Sequence, residues 1–237
     1  MAADTSTYRL DRAFAEEMDA RDPLAPFRGQ FHIPKQADGR DHLYFCGNSL
    51  GLQPRSVRAF VEQELADWEK LGVEGHVQAR NPWLPYHEFL TDSMAKIVGG
   101  QADEVVVMNS LTVNLHLLMV SFYRPTAQRH KIIIEADAFP SDRYAVISQI
   151  EFHGLDPKTS LVELRSKSGH PVIPTEEILE VIAREGDSVA LVMLGGVNYY
   201  SGQAFEMEKI TAAGHAVGAK VGFDLAHGAG NLHLRLH

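Results

Sequence analysis

The spacing of apolar residues changes from segment to segment along the chain. In "PRSVRAFVEQELADWEKLG", Val57, Phe60, Val61, Leu65 and Trp68 recur at the interval of one helix face, between Pro54 and Gly72. "PYHEFLTDSMAKIVGG" repeats the design with Phe89, Leu90, Met94, Ile97 and Val98 ahead of two glycines. Beyond that, short β-branched runs alternate with helical patterns. "EVVVM" (104–108) leads through "NSLT" into "VNLHLLMVSFY", and "KIIIEA" (131–136) leads through "DAFPS" into "DRYAVISQIEFHG". "SVALVML" (188–194) leads through "GGVNYYSG" into "FEMEKITAAGHAVGA", and a last apolar run delivers Asp224. Runs without alternation suit strands covered on both faces, so the pattern predicts an α/β fold with a mostly parallel sheet flanked by helices. We place an N-terminal arm or small-domain segment at 1–53 and an incomplete large domain at 54–237.

In such a sheet ligands bind outside the carboxyl ends of the strands, which makes the strand-to-helix loops the candidate site. Ser110, Leu111 and Thr112 open a helix whose first N–H groups suit a phosphate, unless Ser110 or Thr112 is merely an N-cap. In "AFPSD", Pro140 holds Phe139 at the strand end as a flat surface, and Ser141 or Asp142 caps the next helix. Gly195 and Gly196 permit close backbone approach to a ligand, and Tyr199 and Tyr200 offer surface, although a long turn explains them equally. Asp224 ends an apolar strand with no Lys or Arg within three residues, and His227 follows. A buried carboxylate there calls for a cation, either a ring nitrogen or a distant arginine.

Composition narrows the partners. A net charge of −9, without a basic block, disfavours nucleic acid, and no apolar run approaches the length of a membrane span. The N-terminus carries neither a signal-peptide nor a transit-peptide pattern, so a cytoplasmic protein is expected. The single cysteine, Cys46, reads as a small buried thiol. His227, His233 and His237 lack the spacing and companions of a zinc site, so no metal is expected.

Taken together, "YFCGNSLGLQP" (44–54), "NSLTVNLHLLM" (109–119), "AFPSDRYAVISQIEFHGL" (138–155), "YYSGQ" (199–203) and "GFDLAHGAGN" (222–231) resemble kynureninases from about residue 25 onward. The resemblance implies a pyridoxal-phosphate enzyme of fold type I, a PLP-dependent transferase-like large domain, acting as a homodimer in tryptophan catabolism and NAD synthesis. The implied reaction is hydrolysis of kynurenine, or its 3-hydroxy form, to alanine and anthranilate or 3-hydroxyanthranilate. By position, Leu111 and Thr112 would hold the cofactor phosphate, Phe139 would stack on the pyridine ring, and Pro140 and Ser141 would belong to the cofactor-binding set. Asp142 would lie near the ring, Asp224 would pair with its nitrogen and His227 would complete the polar shell. Ser49 and His76 would face substrate. Where the family commonly has serine this chain has Gly195, leaving only backbone approach.

The resemblance also implies a Schiff-base lysine roughly two dozen residues after the Asp-x-x-His segment, and no lysine follows Asp224. Lys220 lies four residues earlier, about 13 Å along a strand and at its far end. The expectation is therefore a C-terminally truncated chain, inactive alone, with exposed sheet edges. The alternatives are a non-catalytic PLP-binding fragment, or another fold-type-I enzyme such as a desulfurase-like or aminotransferase relative.

Overall fold

The computed structural model describes residues 8–237, and these fall into two compact units that divide between Leu84 and Pro85. The first contains helix α1 (Arg12–Arg21), helix α2 (Val57–Leu71) and the short α3 (Gly75–Gln78). Asp11 caps α1 by accepting the Phe14 N–H at 2.8 Å. The expected helix after Pro54 forms from Val57. It is tied to the segment after α3: Glu64 accepts from Asn81 Nδ2 at 2.9 Å and Trp83 Nε1 at 3.0 Å, and Arg80 donates to Gln63 at 2.6 Å. These bonds put α2 in the first unit, whereas the helical pattern alone suggests a boundary at 53/54.

Cys46 departs from expectation, being exposed rather than buried. It starts a turn closed by its own carbonyl, which accepts from Ser49 N at 2.9 Å and Leu50 N at 3.0 Å. Local backbone bonds, not apolar packing, hold that segment.

The second unit carries helices α4 (Thr91–Val98), α5 (Leu111–Phe122), α6 (Pro140–Phe152), α7 (Pro157–Ser160), α8 (Thr175–Glu185) and α9 (Met207–Ala216). Its strands are β1 (Lys131–Glu135), β2 (Leu161–Leu164), β3 (Val189–Gly195) and β4 (Lys220–Asp224). They form one parallel sheet in the order β2-β1-β3-β4. Alternate residues of β1 serve opposite cores. Ile132 and Ile134 pack with Val146 and Ile150 of α6 on one face; Ile133 packs with Ile178 and Ile182 of α8 and Ile210 of α9 on the other. Each such buried isoleucine contributes on the order of 1.5–3 kcal/mol of apolar burial. The predicted parallel sheet flanked by helices is present.

The strand predicted at 104–108 is not. Val105 has extended backbone, φ −125° and ψ 133°, yet residues 105–108 join no ladder among the described residues. A β-branched run sets backbone preference; a strand also needs a neighbour to exchange hydrogen bonds with. Several elements lack a sequence expectation: α1 and α3 in the first unit, and in the second the short α7, β2, whose four residues are too short to show a period, and the amphipathic α8.

Helix α9 lies close to β4 because residue 214 is glycine. A Cβ there would stand 2.4 Å from Val221 Cγ2 and 3.6 Å from Val192 Cγ2. Alanine favours an isolated helix by about 1 kcal/mol, but overpacking costs about 1–3 kcal/mol. Gly214→Ala should therefore lower the urea midpoint of the chain, and an unchanged or higher midpoint would show that α9 moves away freely.

Candidate active site

Because all four strands run parallel, their carboxyl ends open on one edge, where β1 ends at Glu135, β3 at Gly195 and β4 at Asp224. The register sets Gly195 opposite Asp224, and the Gly196 N–H donates to the Asp224 carbonyl at 2.7 Å. The Asp224 carboxylate, half-buried, accepts from Ala226 N at 2.7 Å, which turns the chain toward His227.

The loop after β1 differs from expectation. Phe139 is the N-cap residue of α6, Pro140 stands at its start, and no side chain caps the helix. Asp142, expected to cap, is instead 6% exposed and hydrogen-bonds the Asp224 side chain. Ser141 Oγ donates to Asp142 Oδ1 at 3.3 Å. Burial first, then the Asp224 carboxyl and the charge of Glu135, push the Asp142 carboxyl up to about 8. Of the two strand-end aspartates, the one with the buried carboxyl is thus Asp142.

Phe139 meets Tyr199 edge to face at 5.2 Å between ring centroids, and Tyr199 meets His227 at 6.5 Å. The Tyr199 loop is a tight turn: Asn198 Oδ1 accepts from Ser201 N at 2.9 Å, and Gly202 has φ +72°. The long-turn reading of that loop holds, and the turn places Tyr199 between Phe139 and His227.

Ser110 precedes α5 with φ −86° and ψ 161°, and its side chain makes no capping bond. The N–H groups of the first turn, at Leu111 and Thr112, therefore have no side-chain cap, the condition for an anion site at a helix start. Leu111, Asn114, Met193, Asp224 and Ala226 line one cavity of about 770 Å³. The α5 start and the β4 end thus share one space. The cavity continues between α5 and β4 to Lys220, at the opposite end of that strand.

The structure groups Phe139, Pro140, Ser141, Asp142, Gly195, Asp224 and His227, and Leu111 shares a cavity lining with Asp224, while Thr112, next to it on α5, does not line that cavity. Ser49 and His76 belong to the first unit and are exposed there. The His76 ring lies edge to face on Trp83 at 5.4 Å, with Nδ1 2.8 Å from the Val73 carbonyl oxygen. Gly75 makes room for that indole, whose ring a Cβ would meet at 2.3 Å. Glu135 is absent from the sequence-based set although a charged residue closing an isoleucine run was its visible signal; it is 4% exposed and accepts from Gly195 N.

The donor set fits a phosphate-bearing ring cation. Uncapped amides face one end of the space; at the other, burial and the neighbouring carboxyls raise Asp142, with no cation among the groups acting on it. Among the described residues, no helix is long and apolar enough to cross a membrane.

No protein-family model matches the chain. Curated kynureninases do: that of Koribacter versatilis is 63% identical over 94% of this chain and 53% of its own length. Those of Myxococcus xanthus and Mus musculus are 57% and 46% identical over 98% and 100% of this chain, and 55% and 53% of their own lengths. The chain thus spans about half the length of the curated relatives it matches. Among solved structures, the cysteine desulfurase CsdA of Escherichia coli aligns with a TM-score of 0.65 at 17% identity, over 91% of this chain and 51% of that one. A C-DES variant with glycine covalently linked to its PLP cofactor aligns with a TM-score of 0.64 at 16% identity, over 87% and 51%. These neighbours establish the fold, that of the PLP-dependent fold-type-I large domain.

Asp142 yields a pH prediction. The folded chain keeps a proton on the Asp142–Asp224 pair that the unfolded chain releases near pH ~4, so stability falls as pH rises from there through about 8. In Asp142→Asn the urea midpoint should fall less steeply over that window, leaving the variant the more stable at about pH 9. Parallel curves for parent and variant would contradict the raised carboxyl.

Proposed function

We propose that this chain, a kynureninase-family sequence over at least 94% of its length, forms the cofactor-binding part of an enzyme that hydrolyses kynurenine or 3-hydroxykynurenine. The observation that carries the reading is the shared space. One cavity is bounded by the uncapped start of α5 and by Asp224, the two ends of a pyridoxal phosphate molecule's polar surface.

When bound, pyridoxal phosphate supplies an electron sink, provided that its ring nitrogen stays protonated. The chain's own residues would provide for that. Leu111 and Thr112 N–H groups, at the positive end of the α5 dipole, would hold the phosphate. Asp224 would keep the ring nitrogen protonated, backed by Asp142 through their shared hydrogen bond. Phe139, braced edge-on by Tyr199, would limit water at the ring, and His227 lies on the far side of Tyr199. Gly195 contributes close backbone approach, and Ser49 and His76 are assigned to substrate. The net reaction adds water across the Cβ–Cγ bond of the substrate, giving alanine and the aromatic acid.

The family match favours this reaction over a desulfurase, since the desulfurase likeness rests on fold alone at 17% identity or less. A homodimer in the cytoplasm, as a soluble enzyme of tryptophan catabolism and NAD synthesis, completes the reading.

Calorimetric titration of the chain with pyridoxal 5'-phosphate tests it. Saturable binding is expected, and Asp224→Ala should weaken it about tenfold or more, the loss of a hydrogen-bonded charge pair. Equal affinity in parent and variant would remove Asp224 from the site.

A further inference from the structure

Glu135 is the most deeply buried acid at the strand edge, and nothing above gives it a task. It closes β1, is 4% exposed, and both of its carboxylate oxygens accept the single Gly195 N–H, at 3.1 and 3.2 Å. One shared donor satisfies little of a carboxylate's capacity. The residue opposite explains how it fits. A Cβ at position 195 would lie 3.0 Å from Glu135 Oε1 and 3.2 Å from the Val197 carbonyl oxygen. Glycine at 195 and the Glu135 carboxyl are therefore a matched pair, each occupying room that the other leaves.

The charges around it are of one sign. On β2 its register partner is Leu164, on β3 it meets Gly195, on β4 it feels Asp224, and from α6 Asp142 feels it in turn. Nearby cations are committed elsewhere: Arg143 pairs with Glu163 at 2.8 Å, and Arg165 with Asp137 at 3.5 Å. Burial, and then Asp224, hold the Glu135 carboxyl above its ordinary value against the pull of the backbone N–H groups.

We propose that Glu135 is a positioning residue of this site, which fixes the backbone at Gly195 and, from behind the Asp142–Asp224 pair, strengthens that pair's hold on a cationic ring nitrogen. The inference rests on the pyridoxal-phosphate reading and adds a third carboxyl to it. Glu135 does not touch the ligand. It acts through Asp224, as a negative potential that grows when the cation arrives, and through the strand end that Gly195 and Gly196 form.

Two variants separate the roles. Glu135→Gln keeps an acceptor for Gly195 N–H and removes the charge; Glu135→Leu removes both. The probe is pyridoxine 5'-phosphate, which has the ring nitrogen and phosphate but no aldehyde, titrated calorimetrically at about pH 8. The companion readout, taken on the full chain with no ligand added, is the carboxyl carbon-13 titration of Asp142 and Asp224. Glu135→Gln should lower the upper apparent pKa of the pair by about one unit and weaken probe binding about tenfold. A parent that binds the probe, with Glu135→Gln matching it in titration and affinity, would overturn the proposal and leave the cofactor reading intact. A parent that fails to bind would overturn both, whatever the ligand-free titration shows. Should Glu135→Leu not fold, the Gln variant decides alone.

Discussion

Asp142 and Asp224 reach each other from different elements, one from the first turn of α6 and the other from the end of β4, and share a hydrogen bond that two ionised carboxylates could not make. That bond requires a proton or an external cation between them. Burial, then the Asp224 carboxyl and the charge of Glu135, raise Asp142 to about 8, so the pair keeps a proton at neutral pH. A ring cation would relieve the same constraint with better geometry, because Asp224 is half-exposed toward the cavity while Asp142 stays behind it.

The fold serves that arrangement through strand direction. Parallel pairing brings Glu135, Gly195 and Asp224 to one edge, crossover helices return the chain between strands, and β1 ends close to the start of α6. Close packing of α9 on β4 at Gly214 fixes the strand that carries Asp224. β4 borders the sheet among the described residues, and the helix facing it, α5, is apolar around its circumference, with Val113, Leu117, Leu118 and Phe122 exposed. Such a helix is ordinarily a buried one.

Much of this was legible in the residues. Unbroken Val and Ile runs announced covered parallel strands, and the loops after them held the residues that converge: Leu111, Phe139, Asp142, Gly195, Asp224 and His227. The remainder was not legible, for physical reasons. Residues 104–108 have strand composition without a pairing partner, a matter of tertiary contact that no local pattern encodes. Asp142 at a helix start reads as a cap, because N-caps are the common use of that residue type; only three-dimensional placement shows it turned inward to Asp224. The signal of Glu135, a charged residue closing an isoleucine run, is ambiguous, since the solvent-facing end of a strand has the same pattern. Its partner, Gly195, looked like a lost hydroxyl until the carboxyl filling that space was seen.

The central claim is that one ligand spans the α5 start and the Asp224 carboxylate. The most direct measurement is a crystal structure of the chain soaked with pyridoxine 5'-phosphate. The account predicts the phosphate on the N–H groups of Leu111 and Thr112, and the ring nitrogen within hydrogen-bonding distance of Asp224. A phosphate bound elsewhere, or a ring nitrogen turned away from Asp224, would contradict it.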